Sequence, residues 1–133
     1  MQYAVPRRGV PGAAALRKWA RAASPADAIT LRIVGAREGR ALNRRYRRRD
    51  YATNVLSFPY EREGDIVLCH PVIAREARSQ RKSVHAHYAH LVVHGVLHLR
   101  GYEHDDKSSA RRMQAREIRI LRQLGFGDPY TVE

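Results

Sequence analysis

The chain is poor in several things, and each shortage narrows what it can be. It has one cysteine, Cys69, among 133 residues. That excludes an intrachain disulfide and fits a reducing compartment, so a cytoplasmic location is expected. No apolar run reaches the roughly 18 residues that a membrane-spanning helix needs. The start, "MQYAVPRRGVPGAAAL", lacks the charged-then-apolar order of a secretory signal. There is no internal repeat, low-complexity tract or linker, and the length suits one domain, taken as residues 1–133. Acidic residues are scarce too, 13 against 25 Lys and Arg, a formal charge of +12. That balance favours a polyanionic partner such as nucleic acid. A genome that spells surface cations as Arg would give the same sum, so positions matter more than the total.

What is present reads as alternating short strands and helices. Residues 2–5 form a short strand. Residues 11–24 form a helix opened by Pro11, with Ala15, Leu16, Trp19, Ala22 and Ala23 at helical spacing. In 28–35, Ile29, Leu31 and Ile33 alternate with Thr30 and Arg32, which is strand periodicity ending at Gly35. Residues 38–49 form a basic helix. Residues 53–59 and 65–69 form two strands joined through a turn at Gly64, which favours a hairpin or tight connection. Pro71 opens a helix to about Gln80. Residues 85–99 are a helix, and 106–124 a last one with Asp106 as its cap, an apolar side of Ala110, Met113, Ile118 and Leu121, and Gly125 past its end. This order suggests an α+β or mixed α/β single domain.

The histidines carry the chemistry. "HGVLHLRGYEH" (94–104) puts His94 and His98 four apart, on one face of a helix. Gly101 can end that helix in a left-handed turn, so that His104 swings back toward the other two. Two histidines at this spacing are often mere packing residues; a third beyond a helix-ending glycine favours a metal. Three neutral imidazoles leave a tetrahedral zinc one open position for water, the mark of a catalytic rather than structural site, and zinc brings the pKa of such water to about 7. The spacing also matches metzincin proteases, whose general base is a glutamate directly after the first histidine. Here that residue is Gly95, which argues against peptide hydrolysis. His87 and His90 share the His94 face; His90 reads as an alternative ligand or a group supporting the ligands, with support or core favoured because three ligands and a water already fill a zinc site. His70 and His85 read as ordinary polar positions. Glu103 and Asp105 flank His104, where either can orient a ring or simply be solvated.

"REGRALNRRYRRRD" (37–50) holds seven arginines in fourteen residues. Leu42, Tyr46 and Ala41 are expected to pack inward, and the rest to present guanidinium groups suited to phosphate. A solvated face is the usual fate of such a run. With a hydrolytic metal site in the same domain, a phosphodiester substrate would use both. Tyr46, Tyr51, Phe58 and Tyr60 can stack on unpaired bases, although core positions are the commoner fate.

These residues also resemble a known family. "HGVLHLRGYEHD" (94–105) is similar to the H-G-x-L-H-L-x-G-Y-D-H signature of the YbeY family of bacterial rRNA-maturation endoribonucleases. "LNRRYRRRDYATNVLSFPYE" (42–61), "GDIVLC" (64–69) and "GFGDPY" (125–130) resemble three further blocks of the family, in the same order. The resemblance spans about residues 30–130. It implies an α+β fold, a small mixed sheet against about five helices with the metal site at the end of a central helix. It implies one Zn2+ per chain held by His94, His98 and His104, and a role for Arg47 in RNA contact or catalysis. His98 is then taken as catalytic as well as ligating. It implies a single-strand-specific endoribonuclease in rRNA processing, notably at the 16S 3′ end, and in ribosome quality control. Its partners would be single-stranded rRNA and the ribosome or ribosomal proteins, with no DNA or membrane. Glu103 stands where the family usually has Asp, and Arg49 where it often has Lys. Family members commonly run longer before the first helix, so residues 1–5 read as a remnant of a first strand or as the mark of a late start codon. Two rival readings stay open. One is a zinc-stabilised, non-catalytic ribosome-assembly factor; the other is a metal-dependent hydrolase of another substrate.

Overall fold

The structure, a computed structural model, describes residues 1–25, 28–60, 63–102 and 106–131. In chain order the elements are β1 (Gln2–Tyr3), α1 (Ala13–Ala23), β2 (Ala28–Val34), α2 (Ala36–Arg47), β3 (Val55–Pro59), β4 (Glu63–Cys69), α3 (His70–Ser79), α4 (Val84–Leu99) and α5 (Lys107–Gln123). The four strands form one mixed sheet in the order β1-β2-β4-β3. β1 and β4 run parallel to β2, while β3, the first arm of the hairpin, is antiparallel to β4. The α+β architecture expected from the sequence is what forms.

The β2 alternation sorts its faces as its period demands. Leu31 and Ile33, with Ile66 and Leu68 of β4, face α1 and α4 and join the main core. Arg32 points the other way, where its guanidinium donates two hydrogen bonds to Glu38 of α2, at 2.7 and 2.9 Å. That second face carries a smaller core of Val34, Leu56, Val67, Cys69 and Val72, with Leu42 of α2 against it. β4 is covered on both sides, which explains its unbroken apolar run from Ile66 to Cys69.

α4 is the axis of the molecule. Tyr88, Ala89, Val92, Val93, Val96 and Leu97 are fully buried along it. Ser83 caps its start by accepting from the Ala86 amide at 2.9 Å. Gly101 (φ +91°) follows its end, in the left-handed conformation expected of a helix-ending glycine. Asp106 caps α5 as expected, accepting from the Ser109 amide at 2.8 Å.

Three expectations need correction. Gly64 is not a turn residue but lies within β4, paired with Pro59. A Cβ there would sit 2.5 Å from Leu99 Cδ1, so the glycine serves the close approach of the end of α4. On α2 the inward residues are Gly39 and Asn43, with Leu42 half-buried. Ala41 and Tyr46 are exposed. The cause is Gly39, which brings α2 so near β4 that an added Cβ would lie 2.9 Å from Cys69 Sγ, rotating the helix onto that side. On α5 the buried stripe is Met113, Glu117, Ile120 and Leu121, while Ala110 and Ile118 are only half-buried.

Candidate metal centre and cleft

Gly95 sets where the histidines point. An added Cβ would lie 3.1 Å from Ile66 Cδ1, 3.2 Å from Ser57 Oγ and 3.2 Å from Val55 Cγ2. Position 95 therefore faces the sheet, and α4 sits close enough for the Ser57 hydroxyl to donate to the Gly95 carbonyl at 3.0 Å. A glutamate at this position would point into the sheet. His94 and His98 emerge beside β3 with their Nε2 atoms 3.0 Å apart. Two imidazole nitrogens this close either share a proton or share a cation.

The other side of His94 is held by Glu117, a carboxylate with no solvent exposure. Its Oε1 lies 2.7 Å from His94 Nδ1. Its Oε2 lies 3.0 Å from His90 Nε2 and also accepts from the Tyr130 hydroxyl. Burial alone would raise the Glu117 carboxyl, but the hydrogen bonds from His90, His94 and Tyr130 outweigh it and hold the carboxyl at about 2. Burial and the Glu117 charge push the Tyr130 hydroxyl upward, so it stays protonated and donates. An ionised carboxylate only accepts, so His94 presents Nδ1–H to Glu117 and its Nε2 lone pair toward His98. This is the carboxylate–histidine arrangement that supports metal ligands.

The donor set fits a metal ion. His90, His94 and Glu117 each offer a ligand atom, all within 4.8 Å of one another, so these three are placed where they can hold one. His94 also belongs to the pair of facing Nε2 atoms with His98. His104, the third expected ligand, lies outside the described residues together with its neighbours Glu103 and Asp105.

His94 and His98 open onto a cleft of about 800 Å³. Its other walls are the end of α2, the segment 48–54 and β3, and Arg47, Arg49, Tyr46 and Tyr51 line it. Arg47 thus lies in the same cleft as the two histidines. Asn43, buried, donates to the Tyr51 carbonyl at 2.7 Å and ties the segment after α2 back to that helix. Arg48 (φ 57°) makes the left-handed turn that starts the segment. Arg40 and Asp50 close it with a paired contact at 2.8 and 3.0 Å. Tyr46, Tyr51 and Tyr60 are each more than half exposed rather than core. Tyr46 packs edge-on against Phe58 at the rim.

The remaining histidines are structural. His87 is buried and lies 3.0 Å from Glu76, which also accepts from Asn54 at the head of β3. His70 lies 2.7 Å from the Tyr88 hydroxyl, and His85 packs on the edge of Trp19. His70 and His85, expected to be ordinary polar positions, are thus both engaged with aromatic side chains. Sequence reasoning missed Glu117, Glu76, Asn43 and Tyr130. The signal for Glu117 was there: a carboxylate inside the helical row Met113, Ile120, Leu121 has to be paired.

A mixed sheet under a central helix, with a histidine–carboxylate cluster opening on a basic cleft, defines the class: a small α+β protein built around a metal-type site. The family model described as Endoribonuclease YbeY matches residues 13–125, and the chain belongs to the YbeY endoribonuclease family. It is 52% identical over 138 residues to an Endoribonuclease YbeY of Methylobacillus flagellatus, covering all of this chain and 93% of that protein. It is 49% identical over 150 residues to one of Stenotrophomonas maltophilia, covering all of this chain and 92% of the relative. With one of Cupriavidus metallidurans the identity is 54% over 131 residues, covering 93% of this chain and 66% of the relative's length. A solution structure of a Thermotoga maritima protein shares the fold, with a TM-score of 0.55 at 22% identity over 89% of this chain and 87% of that one.

Proposed function

We propose that residues 1–133 act as one zinc-dependent, single-strand-specific endoribonuclease domain. Its task is rRNA processing, including maturation of the 16S 3′ end, and ribosome quality control. Its setting is the cytoplasm, with the ribosome or ribosomal proteins as partners. In support of a non-membrane setting, no helix among the described residues is long and apolar enough to cross a membrane. The observation that carries the proposal is the facing pair of Nε2 atoms of His94 and His98, backed by buried Glu117, at the wall of a cleft that Arg47 also lines.

In this reading His94, His98 and His104 hold one zinc ion. Zinc supplies a Lewis acid and a source of hydroxide at neutral pH. The chain's own residues do the rest. Glu117 keeps the proton of His94 on Nδ1 and so keeps Nε2 available. Arg47 donates to the oxygens of the scissile phosphate and offsets the charge that develops on them. Arg49 extends the basic wall along the neighbouring backbone. Tyr46 and Tyr51 offer ring faces to unpaired bases, which a duplex cannot supply. That geometry underlies the preference for single strands. Gly95 stands where the metzincin pattern has its general-base glutamate directly after the first histidine, which separates this site from those proteases.

The test is cleavage of single-stranded and duplex rRNA fragments by wild type, His98→Ala and Arg47→Ala. His98→Ala should lose zinc and cleavage together. Arg47→Ala should keep zinc and lose cleavage. Cleavage retained by a metal-free His98→Ala protein would overturn the proposal.

A further inference from the structure

The segment after α5 resembles the ending of the family, yet the catalytic reading gives it no task. It is held at several points. Gly125 (φ +92°) reverses the chain after α5. The Phe126 amide donates to the Leu121 carbonyl at 2.8 Å, and the Phe126 ring packs edge-on against Trp19. Lys82 Nζ donates to the Pro129 carbonyl at 2.7 Å. Asp128 Oδ1 accepts from the Tyr130 amide at 2.8 Å. All of this delivers one group, the Tyr130 hydroxyl, to Glu117 Oε2.

We infer that Tyr130 is a positioning residue for the metal centre, acting through Glu117 to hold His94 with Nε2 presented to the ion. The inference rests on the zinc reading above. Glu117 divides its partners between its two oxygens. Among the described residues Oε1 meets His94 alone, while Oε2 takes both His90 and Tyr130. Two donors on Oε2 fix the plane of the carboxylate, and that plane sets the direction in which Oε1 meets the His94 ring. With the Tyr130 hydroxyl gone, Oε2 keeps only His90, and the carboxylate can turn about its own axis. His90 cannot take up the slack, because among the described residues its buried Nδ1 has no hydrogen-bond partner to pin the ring from behind.

The shape of Tyr130 argues against a packing role. The residue is 39% exposed, so its ring buries little apolar surface for an aromatic. Its hydroxyl is the part that reaches the interior. A tyrosine placed with its ring outside and its oxygen inside is there for the hydrogen bond. The His90 ring meets it edge-on with centroids 5.3 Å apart, which fixes the angle of approach.

The experiment measures Zn2+ affinity by competition with a chromogenic chelator, on wild type, Tyr130→Phe, Glu117→Gln and His98→Ala. The visible spectrum of each Co2+-loaded protein and the melting temperature of each metal-free protein are read alongside. Removing a group that orients a metal ligand typically weakens metal binding about 10- to 100-fold. Tyr130→Phe should sit near the lower end, about tenfold, with an altered Co2+ spectrum and an unchanged metal-free melting temperature. Glu117→Gln should lose more. Zinc affinity within twofold of wild type and an unchanged spectrum in Tyr130→Phe would overturn the inference and leave the zinc reading standing. A wild type that takes up no zinc would overturn both. If Tyr130→Phe fails to fold, Asp128→Ala, which frees the turn carrying Tyr130, must weaken zinc binding in the same direction; unchanged affinity there would equally overturn the inference.

Discussion

Gly95 should resist even the smallest side chain, although it lies in the middle of a helix where alanine is ordinarily better. Gly95→Ala would gain about 1 kcal/mol of helix propensity. Against that, the new methyl meets Ile66, Val55 and Ser57 at 3.1–3.2 Å, while unstrained carbon contacts lie at about 3.5–4.0 Å. Three neighbours from two adjacent strands would have to yield together, and overpacking of this kind costs about 1–3 kcal/mol. The balance is a net loss of about 1 kcal/mol. A chain of 133 residues unfolds with an entropy of about 0.28 kcal/mol/K, so the melting temperature should fall by about 3–4 °C. Calorimetry or circular dichroism on wild type and Gly95→Ala reads this directly. Gly95→Glu should lose several times more and gain no peptidase activity, since its carboxylate would be driven into the sheet. A rise of about 3 °C in Gly95→Ala, the value of propensity alone, would refute the close docking of α4 on the sheet.

Other outcomes follow from the same geometry. Arg47→Ala should lower kcat/KM on single-stranded RNA by about 100-fold, or about 2.7 kcal/mol, while changing stability by less than about 0.5 kcal/mol because the side chain is exposed. The same variant should reduce the salt slope of RNA binding by about 0.7, the value of one lost phosphate contact. Asp106→Ala removes the cap of α5 and should cost about 1 kcal/mol, read as a melting temperature lower by about 3–4 °C. Burial holds the His70 imidazole below its ordinary value, and burial outweighs Glu76 to do the same for His87. Both are then neutral in the fold where the unfolded chain is protonated. Stability of the metal-free protein should therefore fall as pH drops below about 6.5, and the urea midpoint at pH 5.5 should move less in a His70→Gln, His87→Gln double variant.

Much of this molecule is legible in its sequence where local periodicity and turn chemistry agree. The β2 alternation, the Gly101 and Gly125 helix ends, the Asp106 cap and the hairpin of β3 and β4 all express short-range rules. The readings that failed depend on how elements meet. Leu42 and Tyr46 are four apart and look like an inward stripe, yet the close contact of Gly39 with Cys69 rotates α2 and leaves Tyr46 at the cleft rim. Gly64 looks like a turn and is instead the gap into which Leu99 fits. The pairing of His94 and His98 on one face was visible in their spacing. Their support was not, because Glu117 and Tyr130 come from 23 and 36 residues beyond His94 and reach it only when α5 and the segment after it fold back along α4.

Zinc binding by the facing histidines of α4 is what the proposed activity rests on. Its most direct test is metal content by elemental mass spectrometry on wild type, His98→Ala and His90→Ala, each confirmed to be folded. Expected is one zinc per chain in wild type and in His90→Ala, and none in His98→Ala. Zinc kept by His98→Ala but lost from His90→Ala would move the site to His90, His94 and Glu117. A wild type that holds no zinc even after reloading would contradict the proposed zinc binding outright.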